Sequence, residues 1–387
     1  MQKRNILFLS SWYPNRVKPT HGNFVQQHAF AAAQENNVQL IYVCLEEGLN
    51  QPSETIVDQL PFPVHLVYLK KSMVPLIGTM WNYLRMIWAY FRTLKHLKKQ
   101  GFNPELIHAN VVYPIGIVAR LLSWKQRIPY IITEHWTCYS PESHPKPGRM
   151  QMFLTRWAAN KAALILPVSE DLSRSMKHAG IRTDMQVVYN VVNTDLFLPM
   201  PRTKRERIHL VHVSSLDDSQ KNPSLLIRSF AELLKSHSSL QLDIVSDGDF
   251  SSCQSEIEEL KMTSNVVFHG TQNPDGVARI LQQADVFLLT SRFENLPCVL
   301  IEAISCGVPI VATNVGGIKE IVHEGNGILV PSENQTALVK AINQVISRLE
   351  DYRPEVMHQE AVQLFSYRSI GTKLSSIYQS VLSAHGQ

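Results

Sequence analysis

The sequence predicts an α/β protein of two doubly wound parallel-sheet domains facing each other across a cleft. Three observations lead there. Short apolar or β-branched runs alternate with longer helical patterns, as in βαβ units. Most of these runs are apolar at successive positions, which means that helices cover both faces of each sheet. The chain has 387 residues, more than one ordinary core serves, so two units of about 150–200 residues are expected.

In the first half, strands are expected at Asn5–Ser10 and at residues 38–45, 64–69, 106–109, 130–133, 163–168 and 186–189. Helical stretches such as 24–35 and 115–123 separate them. In the second half, strands are expected at 208–214, 240–246, 266–269, 286–290, 309–313 and 327–330. Pro199 and Pro201, followed by the polar residues 203–207, read as a linker. Residues 367–383 read as a last helix, with Ile370, Leu374, Ile377, Tyr378 and Val381 at helical spacing. The expected division is 1–197, 198–365 and a terminal helix within 366–387.

A hydrophobic content of 44% with 18% charged residues is that of a globular protein, neither disordered nor fibrous. The five cysteines, Cys44, Cys138, Cys253, Cys298 and Cys306, include no Cys-x-x-Cys pair. That argues against a disulfide framework or a zinc site and suits a reducing cytosol. The apolar run after Lys3 and Arg4 is too short for a signal peptide, and no stretch approaches the ~20 apolar residues of a membrane span. A cytoplasmic protein is expected. The net charge of +4 hides an asymmetry: residues 1–197 hold 21 Lys and Arg against 12 Asp and Glu, the remainder 16 against 21. One domain is therefore expected to meet an anionic surface or substrate.

In open α/β sheets, ligands bind at the carboxyl ends of strands, so chemistry is sought just after each strand. The most informative stretch is 291–303, Ser-Arg-Phe-Glu-Asn-Leu-Pro-Cys-Val-Leu-Ile-Glu-Ala. Pro297 suits the first turn of a helix, with Asn295 or Leu296 as its cap. The free amides around Cys298 and Val299 would then form an anion site suited to a diphosphate. Glu294 lies in the loop and Glu302 in the helix, so one carboxylate can face a reacting sugar while the other accepts from ribose hydroxyls. The plain alternative is a capped helix with two solvated glutamates. Asp247-Gly248-Asp249 could hold a divalent cation, but a βα turn accounts for it better, and no metal requirement is expected. Residues 80–99 combine Met80, Trp81, Leu84, Ile87, Trp88, Phe91 and Leu94 with Arg85, Arg92, Lys95, Lys98 and Lys99. They fit either a helix packed on the first sheet or one lying on an anionic membrane.

The 291–303 stretch is followed by Cys306-Gly307-Val308-Pro309-Ile310-Val311-Ala312-Thr313 and Gly316-Gly317-Ile318-Lys319-Glu320-Ile321-Val322. Together they resemble the retaining GT-B glycosyltransferases with a Glu-x7-Glu motif (glycosyltransferase family 4, glycosyl transferases group 1). Other segments are similar in the same order: Thr20-His21-Gly22-Asn23-Phe24, Thr133-Glu134-His135, Val168-Ser169-Glu170, Val188-Tyr189-Asn190-Val191-Val192-Asn193 with Asp195 and Phe197, and Phe365-Ser366-Tyr367. The likeness spans almost the whole chain and is tightest over residues 290–330.

The resemblance implies the GT-B fold of two Rossmann-like domains, an acceptor-binding half followed by a donor-binding half, with the last helix crossing back to the first domain. It implies retaining transfer of a sugar from a nucleoside diphosphate sugar to a glycan or lipid-linked acceptor in surface polysaccharide or glycolipid assembly. No cofactor and no nucleic-acid partner are implied. By position, Glu294 lies beside the anomeric carbon, Glu302 binds the donor ribose and Lys221 neutralises the diphosphate. Gly22 lets its loop approach the phosphate, and His135 contacts the sugar. Asn23, Ser215, Asn295, Leu296, Cys298 and Val299 complete the expected donor site. One position departs from the pattern. Many relatives carry Gly-Arg-Leu before the lysine, whereas this chain has Ser214-Ser215-Leu216. Losing that charge-assisted bond costs about 1.5–3 kcal/mol unless Arg292 or Lys319 substitutes. A nucleotide-sugar epimerase and a weakened sugar-nucleotide-binding subunit remain as alternatives. A nicotinamide enzyme is disfavoured because Gly-x-Gly-x-x-Gly is absent after the first strand.

Overall fold

Strands that are apolar on both faces need cover on both, and the computed structural model of the chain supplies it twice. Residues 3–74, 77–143, 146–201 and 206–386 are described. Among them the first sheet comprises β1 (Asn5–Ser10), β2 (Asn37–Glu46), β3 (Ser53–Gln59), β4 (Pro63–Lys70), β5 (Leu106–Asn110), β6 (Tyr130–Glu134) and β7 (Leu164–Pro167). Their order is β3-β4-β2-β1-β5-β6-β7, parallel throughout except for β3 against β4. Helices α1 (Asn23–Glu35), α2 (Ile77–Lys99), α3 (Ile117–Gln126), α4 (Arg149–Ala159) and α5 (Glu170–His178) accompany it.

The second sheet comprises β8 (Ile208–Val213), β9 (Leu240–Val245), β10 (Val266–Gly270), β11 (Val286–Leu289), β12 (Ile310–Thr313) and β13 (Gly327–Val330). Its order is β10-β9-β8-β11-β12-β13, and every pair is parallel. With it go α6 (Asp218–Lys221), α7 (Pro223–Leu234), α8 (Ser251–Glu259), α9 (Pro274–Leu281), α10 (Cys298–Ser305) and α11 (Gln335–Ser347). The chain closes with α12 (Pro354–Phe365) and α13 (Tyr367–His385).

The alternation of each strand explains the layers. Ile6 and Phe8 join a core with Ala29 of α1 and Leu374 and Tyr378 of α13. Leu7 and Leu9 point the other way, into a core with Leu94 of α2 and Leu122 of α3. In the second sheet Leu210, Leu242 and Ile244 meet Leu226 and Phe230 of α7 and Ile342 of α11. Each such side chain, fully buried, stabilises the fold by about 1.5–3 kcal/mol. The last helix is tied to the first half: the Thr372 hydroxyl donates to Glu35 at 2.6 Å, and the Tyr378 hydroxyl lies 2.7 Å from Nδ1 of the buried His108.

Three expectations need correction. The antiparallel β3 went unread because Ser-Glu-Thr-Ile-Val-Asp-Gln is a polar, largely exposed edge, and charged edges guard against pairing with other chains. Residues 186–189 form no strand. This segment runs beside β7, where Gln186 and Val188 donate to Ile165 and Pro167, but only Met185 makes a bridge. Pro167 has no N–H to return, and the ladder stops. The helix read at residues 80–99 starts earlier, at Ile77. Of the expected linker, residues 202–205 lie outside the described residues.

Candidate active site between the two sheets

The site grows from the loop that leaves β11. The Thr290 hydroxyl donates to the Lys221 and Asn222 carbonyls at 2.9 and 3.1 Å, and the Arg292 amide donates to Gln220 at 2.7 Å. These bonds hold the turn after α6 against the loop. Asn222 takes a left-handed conformation there (φ 53°), which asparagine tolerates better than most residues. Lys221 is thereby aimed at Glu294: its ammonium pairs with Glu294 Oε1, and the Ser291 hydroxyl donates to the same oxygen at 2.8 Å. Both charged side chains are mostly withdrawn from water, at 17% and 6% exposure. A pair so placed is strongly destabilised if one partner is removed.

The loop is backed by Gly316 and Gly317. At Gly316 (φ 54°) a Cβ would fall 1.9 Å from the Glu294 carbonyl oxygen, so no side chain fits. Gly317 donates its amide to the Asn295 carbonyl at 2.8 Å.

Helix α10 begins at Cys298, and its cap residue is Pro297 (φ −68°, ψ 125°) rather than Asn295 or Leu296. The reason is tertiary. The Asn295 side chain is spent across the cleft, donating to the His135 carbonyl at 2.6 Å, and the Leu296 carbonyl accepts from Asn190 Nδ2 at 2.5 Å. No side chain caps α10, so the first amides, those of Cys298 and Val299, keep the positive end of the helix. Glu302 stands one turn on from Cys298, on the same face. It is half-buried, and burial pushes its carboxyl up to about 7.

From the first half, β6 delivers Glu134 and His135. The Glu134 carboxylate is buried and accepts from the amides of Val112, His135 and Trp136 at 2.8–2.9 Å and from the Tyr139 hydroxyl at 3.1 Å. Burial nevertheless raises its pKa, against those bonds. It holds the chain at both β5 and β6, including Val111, a buried β-branched residue at φ 69°, a costly conformation that its surroundings must impose. The His135 ring lies 4.4 Å from that of Phe24 and 5.0 Å from that of His28, and its Nδ1 is 3.1 Å from Asn190 Oδ1. Burial drives its pKa well below the usual histidine range, with His28 adding to the effect, so the ring is neutral at pH 7. Among the described residues, no hydrogen-bond partner reaches His135 Nε2 or either polar atom of the buried Asn110 amide. Such atoms need explanation in a folded protein.

Gly22 precedes α1 in a left-handed conformation (φ 76°), and a Cβ there would sit 2.5 Å from the Trp12 carbonyl. The structure thus requires glycine for its own packing, whatever binds nearby. Asn23, the first residue of α1, is exposed. Close by, the Thr20 hydroxyl crosses to the second half and donates to Asp247 at 2.9 Å. Asp249 accepts from the Ser251 amide and hydroxyl at 2.9 and 2.7 Å, the bonding of a helix-entry turn.

The fold therefore brings Lys221, Glu294, Asn295 and Leu296 together and links them to His135 through Asn190. It leaves Ser215 exposed on its loop. Arg292 is already engaged, with Glu333 at 2.7 Å, with Asn222 at 3.0 Å and with the Asp218 carbonyl. Lys319 lies 3.8 Å from Asp171. Residue-by-residue reading gave no role to Ser291 or to the Asn110 amide, though Ser291 opens the stretch singled out after β11 and Asn110 ends β5. It also missed Glu320, whose carboxylate accepts from the amides of Glu170 and Asp171 at 2.9 Å each and caps α5 from the other half.

Residues 24–196 match the family model described as Glycosyltransferase Family 4, and residues 201–359 the model described as Glycosyl transferases group 1. The chain is similar to the N-acetyl-alpha-D-glucosaminyl L-malate synthase of Bacillus anthracis, 26% identical over 299 residues, 73% of this chain and 76% of that one. It is also similar to TuaC of Bacillus subtilis, a glycosyltransferase named for teichuronic acid biosynthesis, 25% identical over 366 residues and 91% of each chain. Among solved structures, Anabaena Alr3699/HepE in complex with UDP and glucose superposes with a TM-score of 0.74 at 20% identity, over 97% of this chain and 100% of that one.

Proposed function

Because the chain belongs to the GT-B glycosyltransferases, with a Family 4 first half and a group 1 second half, we propose that it is a retaining enzyme. It moves a sugar from a nucleoside diphosphate sugar to a glycan or lipid-linked acceptor. The observation that carries this reading is the buried Lys221–Glu294 pair beside an uncapped helix end, facing a neutral His135. The HepE structure, which holds UDP and glucose, and the teichuronic acid assignment of TuaC support it from outside.

In this reading the diphosphate sits against the Cys298 and Val299 amides and the Lys221 ammonium. Glu302 accepts from the ribose hydroxyls, Gly22 and Asn23 close the phosphate from the other side, and Ser215 contributes a hydroxyl where relatives have a guanidinium. As the bond between the anomeric carbon and the phosphate oxygen breaks, negative charge grows on the leaving diphosphate, and the cation and fixed amides stabilise it. The acceptor oxygen forms its bond on the same face of the sugar. Its proton passes to the departing phosphate oxygen, and nucleoside diphosphate leaves. Glu294 stabilises the oxocarbenium-like centre from below and Lys221 fixes its position, while His135 orients the sugar as a neutral partner. No metal is required, and the protein works at the inner membrane face, in peripheral contact with anionic lipid.

A thermal-shift screen over UDP-, GDP- and ADP-sugars tests the donor site. One series is expected to raise Tm, since a ligand at 100 times its Kd stabilises by about 2.7 kcal/mol; no shift with any of them overturns the reading. Glu294→Ala is expected to keep that shift while turnover falls about 1,000-fold. An unaltered rate would remove Glu294 from the mechanism.

A further inference from the structure

Helix α2 carries five Lys and Arg residues and no Asp or Glu, and its outer face is unusually greasy. Met80 is 66% exposed, Trp81 54% and Trp88 60%, with Tyr83 and Leu84 beside them and Met150 and Phe153 of α4 also bare. Exposed apolar residues in such a group mark an interaction site rather than ordinary surface. Beneath this face lies a cavity of about 540 Å³, bounded by Leu84 and Ile87 of α2, by Tyr113 and Ile117, and by Leu154 of α4. No charged side chain is among its lining residues.

Its volume falls within the range of ligand sites, about 300–1,000 Å³, and its lining is mostly apolar, as such sites are. Its lining includes Ser10 and Ser11, at the carboxyl end of β1. Ser10 Oγ accepts from the Trp12 amide at 3.0 Å, and the Trp12 carbonyl is the group packed under Gly22. The cavity thus borders the wall of the cleft. Leu84 and Ile87 also line a second cavity, with Arg92, Lys95, Lys98, Lys99 and Lys125 around it. Apolar volume, bare aromatics and a cationic flank on one helix match the chemistry of an anionic lipid surface and of a chain drawn from it.

The geometry points to this cavity as the seat of the apolar chain of a lipid-linked acceptor, with the basic end of α2 resting on anionic headgroups. This rests on the transferase reading above and adds that the acceptor is an amphiphile recognised through its chain.

The test uses the full chain and dodecyl phosphate, titrated calorimetrically below its micelle concentration, with methyl phosphate as the chain-free control. Saturable one-to-one binding of the dodecyl compound alone is expected. Leu154→Trp, which fills the cavity, and Leu84→Asp, which charges its exposed mouth, are each expected to weaken it at least tenfold, with the nucleotide-sugar thermal shift intact. No chain-dependent binding, equal binding by both variants, or binding to anionic vesicles with none to the monomeric lipid would each overturn the proposal. A retained nucleotide-sugar shift in those cases would leave the transferase reading standing; loss of that shift in the unmodified protein would sink both.

Discussion

At the end of β6 the cleft presents a neutral imidazole, and at the end of β11 an ion pair. His135, with His28 and His108 behind it, is kept uncharged by burial, His28 at a pKa of about 4 and the other two well below the usual range. Lys221 and Glu294 instead keep opposite charges against one another, with Ser291 bonded to the carboxylate. The exteriors differ too: the first half is basic with bare aromatics on α2, the second acidic. One topology thus carries two electrostatic environments. A diphosphate needs a cation and oriented amides, whereas hydroxyl groups are recognised well by neutral, buried polar atoms.

The largest expected effect would come from acid. A histidine whose pKa is depressed in the fold binds its proton in the unfolded chain first, so stability falls as pH drops below the unfolded value of about 6.5. His28, His108, His135 and, in the second half, His212 all act this way, each by up to about 1.4 kcal/mol per pH unit. Glu302 works in the opposite sense. Its carboxyl keeps its proton up to about 7 in the fold, so it stabilises at low pH, and that contribution fades as pH rises through 7. Glu134, raised by burial as well, acts with Glu302; four groups outweigh two, and the unfolding free energy from urea titrations at pH 7, 6 and 5 should fall steadily, by several kcal/mol in total. A flat profile would mean that these rings are not held neutral.

Next in size is Lys221→Met. In the proposed donor complex it removes a charge-assisted contact to the diphosphate, expected to cost about 1.5–3 kcal/mol, read as a tenfold or greater loss in kcat/KM for the donor. Recovery of part of that loss by Lys221→Arg would sharpen the contrast between the halves. A loss below threefold in the Met variant would erase it. The smallest effect concerns Glu302. In the proposed complex ribose hydroxyls donate to the ionised carboxylate, so donor affinity should weaken as pH falls below about 7, at most tenfold per pH unit. Glu302→Gln should flatten this dependence, and nucleotide titrations at pH 8, 7 and 6 in both proteins would expose its absence.

Strands such as Asn5–Ser10 and the closing helix with Leu374 and Tyr378 were legible because an apolar run or a helical spacing is a local property. The segment around Glu294 and Glu302 was legible for the same reason, being a turn and a helix start within a dozen residues. The cap of α10 was not. Asn295 has the right chemistry for it, but a carbonyl of the other half competes for its side chain and wins. Nor was β3, whose charged, exposed edge lacks the apolar signal that marks its neighbours.

By itself the sequence determined the alternation of strands and helices, the two-sheet architecture and the residue types available at the strand ends. These follow from burial of side chains at fixed spacing. Only the tertiary structure decided that Lys221 meets Glu294 across 73 residues of chain, that Gly316 must be bare to admit the Glu294 carbonyl, and that α2, α4 and the turn at Tyr113 line one largely apolar pocket. Such contacts join segments distant in sequence, and a spacing rule reaches no further than the element it describes.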